Sequence, residues 1–188
     1  MNTDVMFSSK SDDWETPPEF FRQLDDIFHF TIDLAANKEN ALCKRFYTYE
    51  DNQGNPNYQE EIGWLNPPYG REIKKFMQRC CEAGYIASIP WALDPCNRPK
   101  RTLIVALIPS RTDTKWMHDY VYGDEERGAS LIIDIKGRLK FDNPHMEWEK
   151  PSSAPFPSRL VFFGKVYPDE IKKLQELELG QLIKPIHL

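Results

Sequence analysis

The chain has 188 residues, 40% of them hydrophobic and 28% charged, which fits one domain with a core of ordinary size. No apolar run approaches the ~18 residues a membrane-crossing helix needs, and the start, MNTDVMFSSKSDD, lacks the basic and apolar regions of a signal peptide. A net charge of −5 argues against a uniformly basic nucleic-acid binder, yet residues 1–70 hold 5 basic and 13 acidic side chains, residues 71–115 hold 9 and 4, and residues 116–188 hold 10 and 12. Local clusters, not the total, decide whether a phosphate backbone is attracted. Cys43, Cys80, Cys81 and Cys96 show neither CxxC spacing nor a nearby histidine, so they read as reduced thiols of a cytoplasmic protein, with no metal site and no disulfide framework.

In chain order, residues 1–11 read as a flexible tail. TPPEFFRQLDDIF then carries a helix start, with Thr16 as N-cap, Pro17 at the first helical position and Glu19 completing a capping box. Phe20, Phe21, Leu24, Ile27 and Phe28 share one helical face. FTIDLAA (30–36) predicts a strand, KRFYTYED (44–51) alternates weakly as a second, and EIGWL ends a third. REIKKFMQRCCEAGY (71–85) predicts a helix with Ile73, Phe76, Met77 and Cys80 facing inward. The proline-rich stretch 89–101 reads as a loop. TLIVALIPS (102–110) is a continuous apolar run, the mark of a strand buried on both faces. A short helix in TKWMHDYVY, strands in ASLIIDIKGRLKF and SRLVFFGKV, and a helix over 168–179 complete the pattern. Strands alternating with helices predict an α/β domain on a mostly parallel sheet. In such sheets ligands bind beyond the carboxyl ends of the strands, which selects the loops after FTIDL and after GWL.

The second of these loops reads NPPYG. An exocyclic amine on an aromatic base is a poor nucleophile because its lone pair is delocalised into the ring. Acceptors on both amine hydrogens would favour a nitrogen whose lone pair points out of that plane. The side-chain oxygen of Asn66 and the carbonyl of Pro67 suit this role, since the doubled proline restricts both residues to extended geometry. Pro68 fixes the turn, and Tyr69 would stack on the base, offsetting part of the few kcal/mol that flipping a base costs. The plainer alternative is a proline-rich turn with a packed tyrosine. Asp33, at the end of FTIDL, is positioned to hold an ammonium group, and Ala35 and Ala36 leave room for close approach. Glu50 or Asp51 lies near the spacing at which an acidic residue meets a ribose. Strand-end capping and a solvated loop are the plainer readings of these acids. No GxGxxG and no P-loop appear.

With these residues in view, the sequence resembles the phage-type DNA N6-adenine methyltransferases, the Dam-like family. The resemblance covers roughly residues 11–164 and rests on the ordered set DDWETP (12–17), TIDLAA (31–36), NPPYG (66–70), RTDTKW (111–116), GRLKF (137–141) and APFPS (154–158). It implies a Rossmann-like fold dependent on S-adenosylmethionine, which donates a methyl group to N6 of a DNA adenine flipped from the duplex, without metal or membrane. Carried over by position, Asn66, Pro67, Pro68 and Tyr69 are the catalytic motif. Asp33, Ala35 and Ala36 fall in the cofactor-binding segment, and Trp14, Glu15, Thr16 and Pro17 in the segment that closes over the methionine end. The usual glycine-rich loop is replaced by LAANKENA, and at most one strand fits between Asp33 and Asn66, so a trimmed sheet is expected.

Residues 12–188 thus read as one methyltransferase domain, with DNA-contacting loops in 89–101 and 136–158. Lys74, Lys75, Arg79, Arg98, Lys100 and Arg101 flank the proposed crevice in sequence and are the leading phosphate contacts, with a solvated helix face as the alternative for the first three. Arg111, Thr112 and Asp113 follow the buried strand and sit at the crevice by the strand-end rule. Lys115, Arg138 and Lys140 are further DNA candidates or ordinary surface charges. The rival readings are an RNA or protein-glutamine methyltransferase using the same motif, and an inert nucleic-acid-binding protein.

Overall fold

The computed structural model of the protein describes residues 14–88, 101–124, 127–141 and 152–184. The predicted tail 1–11, positions 89–100 of the predicted loop 89–101 with Arg98 and Lys100, and positions 142–151 of the predicted loop 136–158 lie outside these residues.

The first helix, α1 (Pro18–Phe28), buries the five predicted apolar side chains. Its start differs from the expectation. Pro17 is the N-cap, with φ −58° and ψ 127°, and no side chain caps the helix. Pro18 forces the residue before it out of helical geometry, so the helix begins one position late and Thr16 is left outside it. The chain reverses at His29, left-handed at φ 55°, and the Asp25 carboxylate accepts from the Phe30 amide at 2.8 Å.

Strand β1 is only Ile32–Asp33, and the segment predicted as the second strand forms a single parallel bridge, Asp33 to Phe46. Thr48 and Asp51 instead make a capping box that opens a short helix, α2 (Tyr49–Gln53). Local capping bonds outweighed a weak alternation. Strand β2 (Ile62–Leu65) pairs in parallel with β1 on one side and with β3 (Leu103–Pro109) on the other. All seven residues of β3 are buried.

Between β2 and β3 runs α3 (Ile73–Ser88), which buries Ile73, Phe76, Met77 and Cys80 as predicted. It packs on β7 (Ser158–Gly164) so closely that a Cβ on Gly84 would stand 2.8 Å from the Gly164 amide nitrogen. The segment predicted as a short helix holds a π-helical turn, Met117–Tyr122. Arg159 fastens it, with its guanidinium bonded to Tyr122 at 3.1 Å and to Asp134 at 2.7 Å.

The remaining strands correct the expected sheet. Strands β4 (Leu131–Ile135), β7 and β8 (Gly180–Ile183) all pair antiparallel, giving the order β1-β2-β3-β7-β4-β8 with parallel pairing only among the first three. A continuous apolar run reports burial on both faces, not the direction of its neighbour. The half-exposed GQLI of β8 was not anticipated, and it follows α4 (Pro168–Glu176), which packs against α1. β5 (Lys140–Phe141) and β6 (Ser152–Ser153) form a separate two-stranded ladder. No helix among the described residues is long and apolar enough to cross a membrane.

Candidate active site

The parallel pairing of Asp33 with Trp64 brings the carboxyl ends of β1 and β2 side by side, as the strand-end rule requires. A cavity of about 430 Å³ opens there. Trp14, Glu15 and Thr16 form one wall; Asp33, Ala35, Asn37, Glu39, Asn40 and Leu42 form the second; Trp64, Asn66, Pro67 and Pro68 form the third.

Asn66 is half-buried and its amide is oriented by two partners. Nδ2 donates to the Trp14 carbonyl, and Oδ1 accepts from the Tyr69 hydroxyl at 2.7 Å. The oxygen keeps a second lone pair for a further donor. The Tyr69 ring, expected to offer a stacking face, is instead buried at 4% exposure and absent from the cavity wall. It packs edge-to-face against Phe141 and Phe156, and burial pushes its hydroxyl pKa up.

Asp33 is 3% exposed, and burial raises its pKa to about 6 against the weaker opposing pull of the Leu42 and Ala35 amides at 3.2 and 3.3 Å. Among the described residues this buried carboxylate has two long amide bonds and no paired cation. Glu15 and Glu39 add negative potential to the same cavity, whose third wall is Trp64, Asn66 and the two prolines. Three buried side-chain polar atoms among the described residues lack a hydrogen-bond partner, and two of them, Thr16 Oγ1 and Trp64 Nε1, belong to these walls. Asp33, buried beside an open acidic cavity, fits a ligand that carries a cationic group. Among the described residues, no group of three or more His, Cys, Asp or Glu is placed to hold a metal ion.

Of the other expected cofactor residues, Pro17 and Ala36 lie outside the wall; the Ala36 amide donates to the Tyr47 carbonyl at 3.0 Å. Glu50 and Asp51 do not reach the cavity either. Asp51 is spent on Thr48, whose amide and hydroxyl hold its pKa down, because the strand whose end would have presented it does not form. Asn37, Glu39, Asn40, Leu42 and Trp64 were missed. The polar loop NKEN directly after β1 was the available signal, since that is where strand-end ligands bind. The loop is preformed: Asn37 Oδ1 accepts from the Glu39 and Asn40 amides at 2.8 and 3.1 Å, and Asn40 Nδ2 reaches Glu15 at 3.3 Å.

Among the expected DNA contacts, Lys74, Arg111, Thr112, Asp113, Lys115, Arg138 and Lys140 are exposed. Lys75 is exposed but bonded to Glu72 at 2.7 Å. Arg101 does not fit the role. Its guanidinium makes a bidentate pair with Glu170 at 2.6 and 2.7 Å and covers the Tyr167 ring at 4.5 Å. Arg101→Ala is expected to cost roughly 3 kcal/mol in chemical denaturation by stranding the buried Glu170 carboxylate.

A mixed sheet flanked by helices, whose parallel edge ends in an acidic crevice beside an asparagine amide held by the Trp14 carbonyl and the Tyr69 hydroxyl, defines an α/β protein with a polar acceptor at that crevice. Comparison with known sequences makes this specific. The family model of DNA N-6-adenine-methyltransferase (Dam) matches residues 5–184, and the chain belongs to that family. It is 37% identical over 148 residues to the DNA N-6-adenine-methyltransferase of Escherichia phage T1, a match covering 76% of this chain and 52% of the phage protein. It is 35% identical over 65 residues to the "Putative methyltransferase YfdM" of Escherichia coli (strain K12), covering 31% of this chain and 71% of that one. The chain thus spans about half the length of the phage relative.

Proposed function

We propose that this chain transfers a methyl group from S-adenosylmethionine to N6 of adenine in DNA, on a Rossmann-like methyltransferase sheet whose far half has become antiparallel. The observation that carries the reading is the Asn66 amide, held in one orientation by Tyr69 and Trp14 at the edge of an acidic cavity. Family membership and the phage relative support the same activity.

S-adenosylmethionine supplies an electrophilic methyl group on a sulfonium, together with an ammonium that Asp33 would hold. Asn66 Oδ1 and the Pro67 carbonyl accept the two N6 hydrogens and turn the nitrogen lone pair toward the methyl carbon. In-line attack by the amine would form the C–N bond as the S–C bond breaks, with the electron pair left on sulfur as a neutral thioether. The extra proton on nitrogen then leaves to water, so no strong base is needed. Positioning and acceptors fixed in advance supply the rate.

The adenine reaches this point flipped from the duplex. Phe156 is the half-buried member of the aromatic cluster around Tyr69, and it is the ring that a stacking base would displace. Arg111, Lys115, Arg138 and Lys140 are available to the phosphate backbone. Glu39 takes the ribose-facing role first expected of Glu50 or Asp51, so Glu39→Ala is expected to weaken cofactor binding about tenfold by calorimetry, while Glu50→Ala leaves it unchanged.

The deciding experiment incubates the purified chain with labelled S-adenosylmethionine and unmethylated double-stranded DNA, followed by nucleoside analysis. N6-methyladenine is the expected product. Cofactor binding with label appearing only in RNA or protein would overturn the choice of DNA, and no cofactor binding at all would overturn the enzyme reading.

A further inference from the structure

Behind the acidic loop lies a buried polar cluster that the methyl-transfer scheme does not use. Asn52 is 2% exposed. Its Nδ2 donates to the carbonyls of Leu34 and Thr48, both at 2.9 Å, and its Oδ1 accepts from the Tyr58 hydroxyl at 2.6 Å and from Arg79 at 2.8 Å. A second Arg79 nitrogen donates to the Asn52 main-chain carbonyl at 2.8 Å. Both amide hydrogens and both oxygen lone pairs are used, so the amide has one orientation. The guanidinium is sandwiched by apolar surface, 5.3 Å from the Phe76 ring centre and 5.8 Å from that of Tyr58.

The Leu34 carbonyl and the Ala35 amide belong to one planar peptide unit. Holding the oxygen therefore aims the N–H on the opposite side, and that N–H is one of the two main-chain donors to the Asp33 carboxylate. Arg79 stands on α3, the helix that follows directly from NPPYG. We infer that Asn52 and Arg79 are positioning residues, which fix the Leu34–Ala35 peptide and so orient the Asp33 carboxylate for a cationic ligand while tying that loop to the helix behind Asn66. The inference rests on the proposed cofactor reading of the cavity.

A surface without a ligand would not need this arrangement. Leu34 already has its amide bonded to the Trp64 carbonyl within the sheet at 2.8 Å, and Thr48 already caps α2. The added feature is control of the one peptide that faces the acid. The other ionisable groups near Asp33 are Glu15 and Glu39 on the cavity wall and the Cys43 thiol, and Asn52 is hydrogen-bonded to none of them.

The test measures S-adenosylmethionine binding by calorimetry against pH, for the full chain and for Asn52→Leu and Arg79→Met, each well below its unfolding temperature. Asn52→Leu is expected to weaken the cofactor about tenfold at pH 7.5 and to move the acid limb of the binding profile upward, because Asp33 loses an amide donor. Arg79→Met, which keeps the stem packed, is expected to do the same to a smaller degree and serves alone if Asn52→Leu does not fold. The turnover number at saturating cofactor is expected to stay within about twofold. Variants that unfold at lower temperature yet keep wild-type affinity and acid limb would overturn the inference and reduce the cluster to core support. Failure of the unmodified chain to bind the cofactor would overturn the function reading instead, and the inference with it.

Discussion

Asn66→Ala is expected to lower methyl transfer to DNA by at least about a hundredfold, roughly 3 kcal/mol, while leaving S-adenosylmethionine affinity within a few fold. The separation follows from the geometry. Asn66 contributes one edge of the cavity, but its free oxygen lone pair would accept from an amine that gains positive charge as it attacks, so that its N–H groups donate more strongly as the reaction proceeds. An interaction that strengthens in the transition state is read in turnover, not in binding. Removing the amide also releases the Tyr69 hydroxyl and the Trp14 carbonyl, so the N-terminal wall loses its tie to the NPPYG loop. Asn66→Asp keeps an acceptor but turns the donor toward Trp14 into a second acceptor, and is expected to fall between the two. Single-turnover transfer of labelled methyl groups, with calorimetry of the cofactor, measures both quantities. Turnover of the alanine variant within a few fold of wild type would rule the mechanism out.

The second large effect belongs to Asp33. Its replacement by Ala is expected to remove detectable cofactor binding, since the ammonium loses its buried counter-charge and the Leu42 and Ala35 amides lose their acceptor. The pH dependence carries a sign that distinguishes this carboxylate from an exposed one. With a pKa of about 6 in the free protein, Asp33 takes up a proton as pH falls through that value, and cofactor affinity is expected to drop about tenfold per pH unit below it. Without the ligand the folded state holds this proton more tightly than the unfolded chain, where an aspartate has its ordinary value of 3.8. The stabilising contribution is full below that value and is lost as pH rises through about 6, an effect of about 3 kcal/mol. Thermal shifts from pH 4 to 8, with and without S-adenosylmethionine, check both. Ligand stabilisation should grow as stability of the free protein falls, and an affinity flat across that range would remove Asp33 from the cation site.

The sequence by itself determined what depends on local chemistry and burial. The apolar face of α1, the wholly buried β3 and the inward face of α3 follow from side-chain periodicity, and the structure has them all. The two strand-end loops at Asp33 and NPPYG were legible because small and restricted residues there end strands in a recognisable way, and the two loops do meet at one cavity. Tertiary structure decided the rest. The antiparallel half of the sheet was hidden because β4 and β7 are buried regardless of direction. Asp51 and Arg101 carry charges that suit a ligand, yet each is taken by a nearer partner, Thr48 within a capping box and Glu170 from a helix 69 residues away. Glu39 and Asn40 enter the site only because the chain folds back on itself after β1, and the Tyr69 ring is withdrawn because Phe141 and Phe156 arrive from distant segments to cover it. A side chain's chemistry is written at its own position, but its availability is set by whichever group reaches it first in three dimensions.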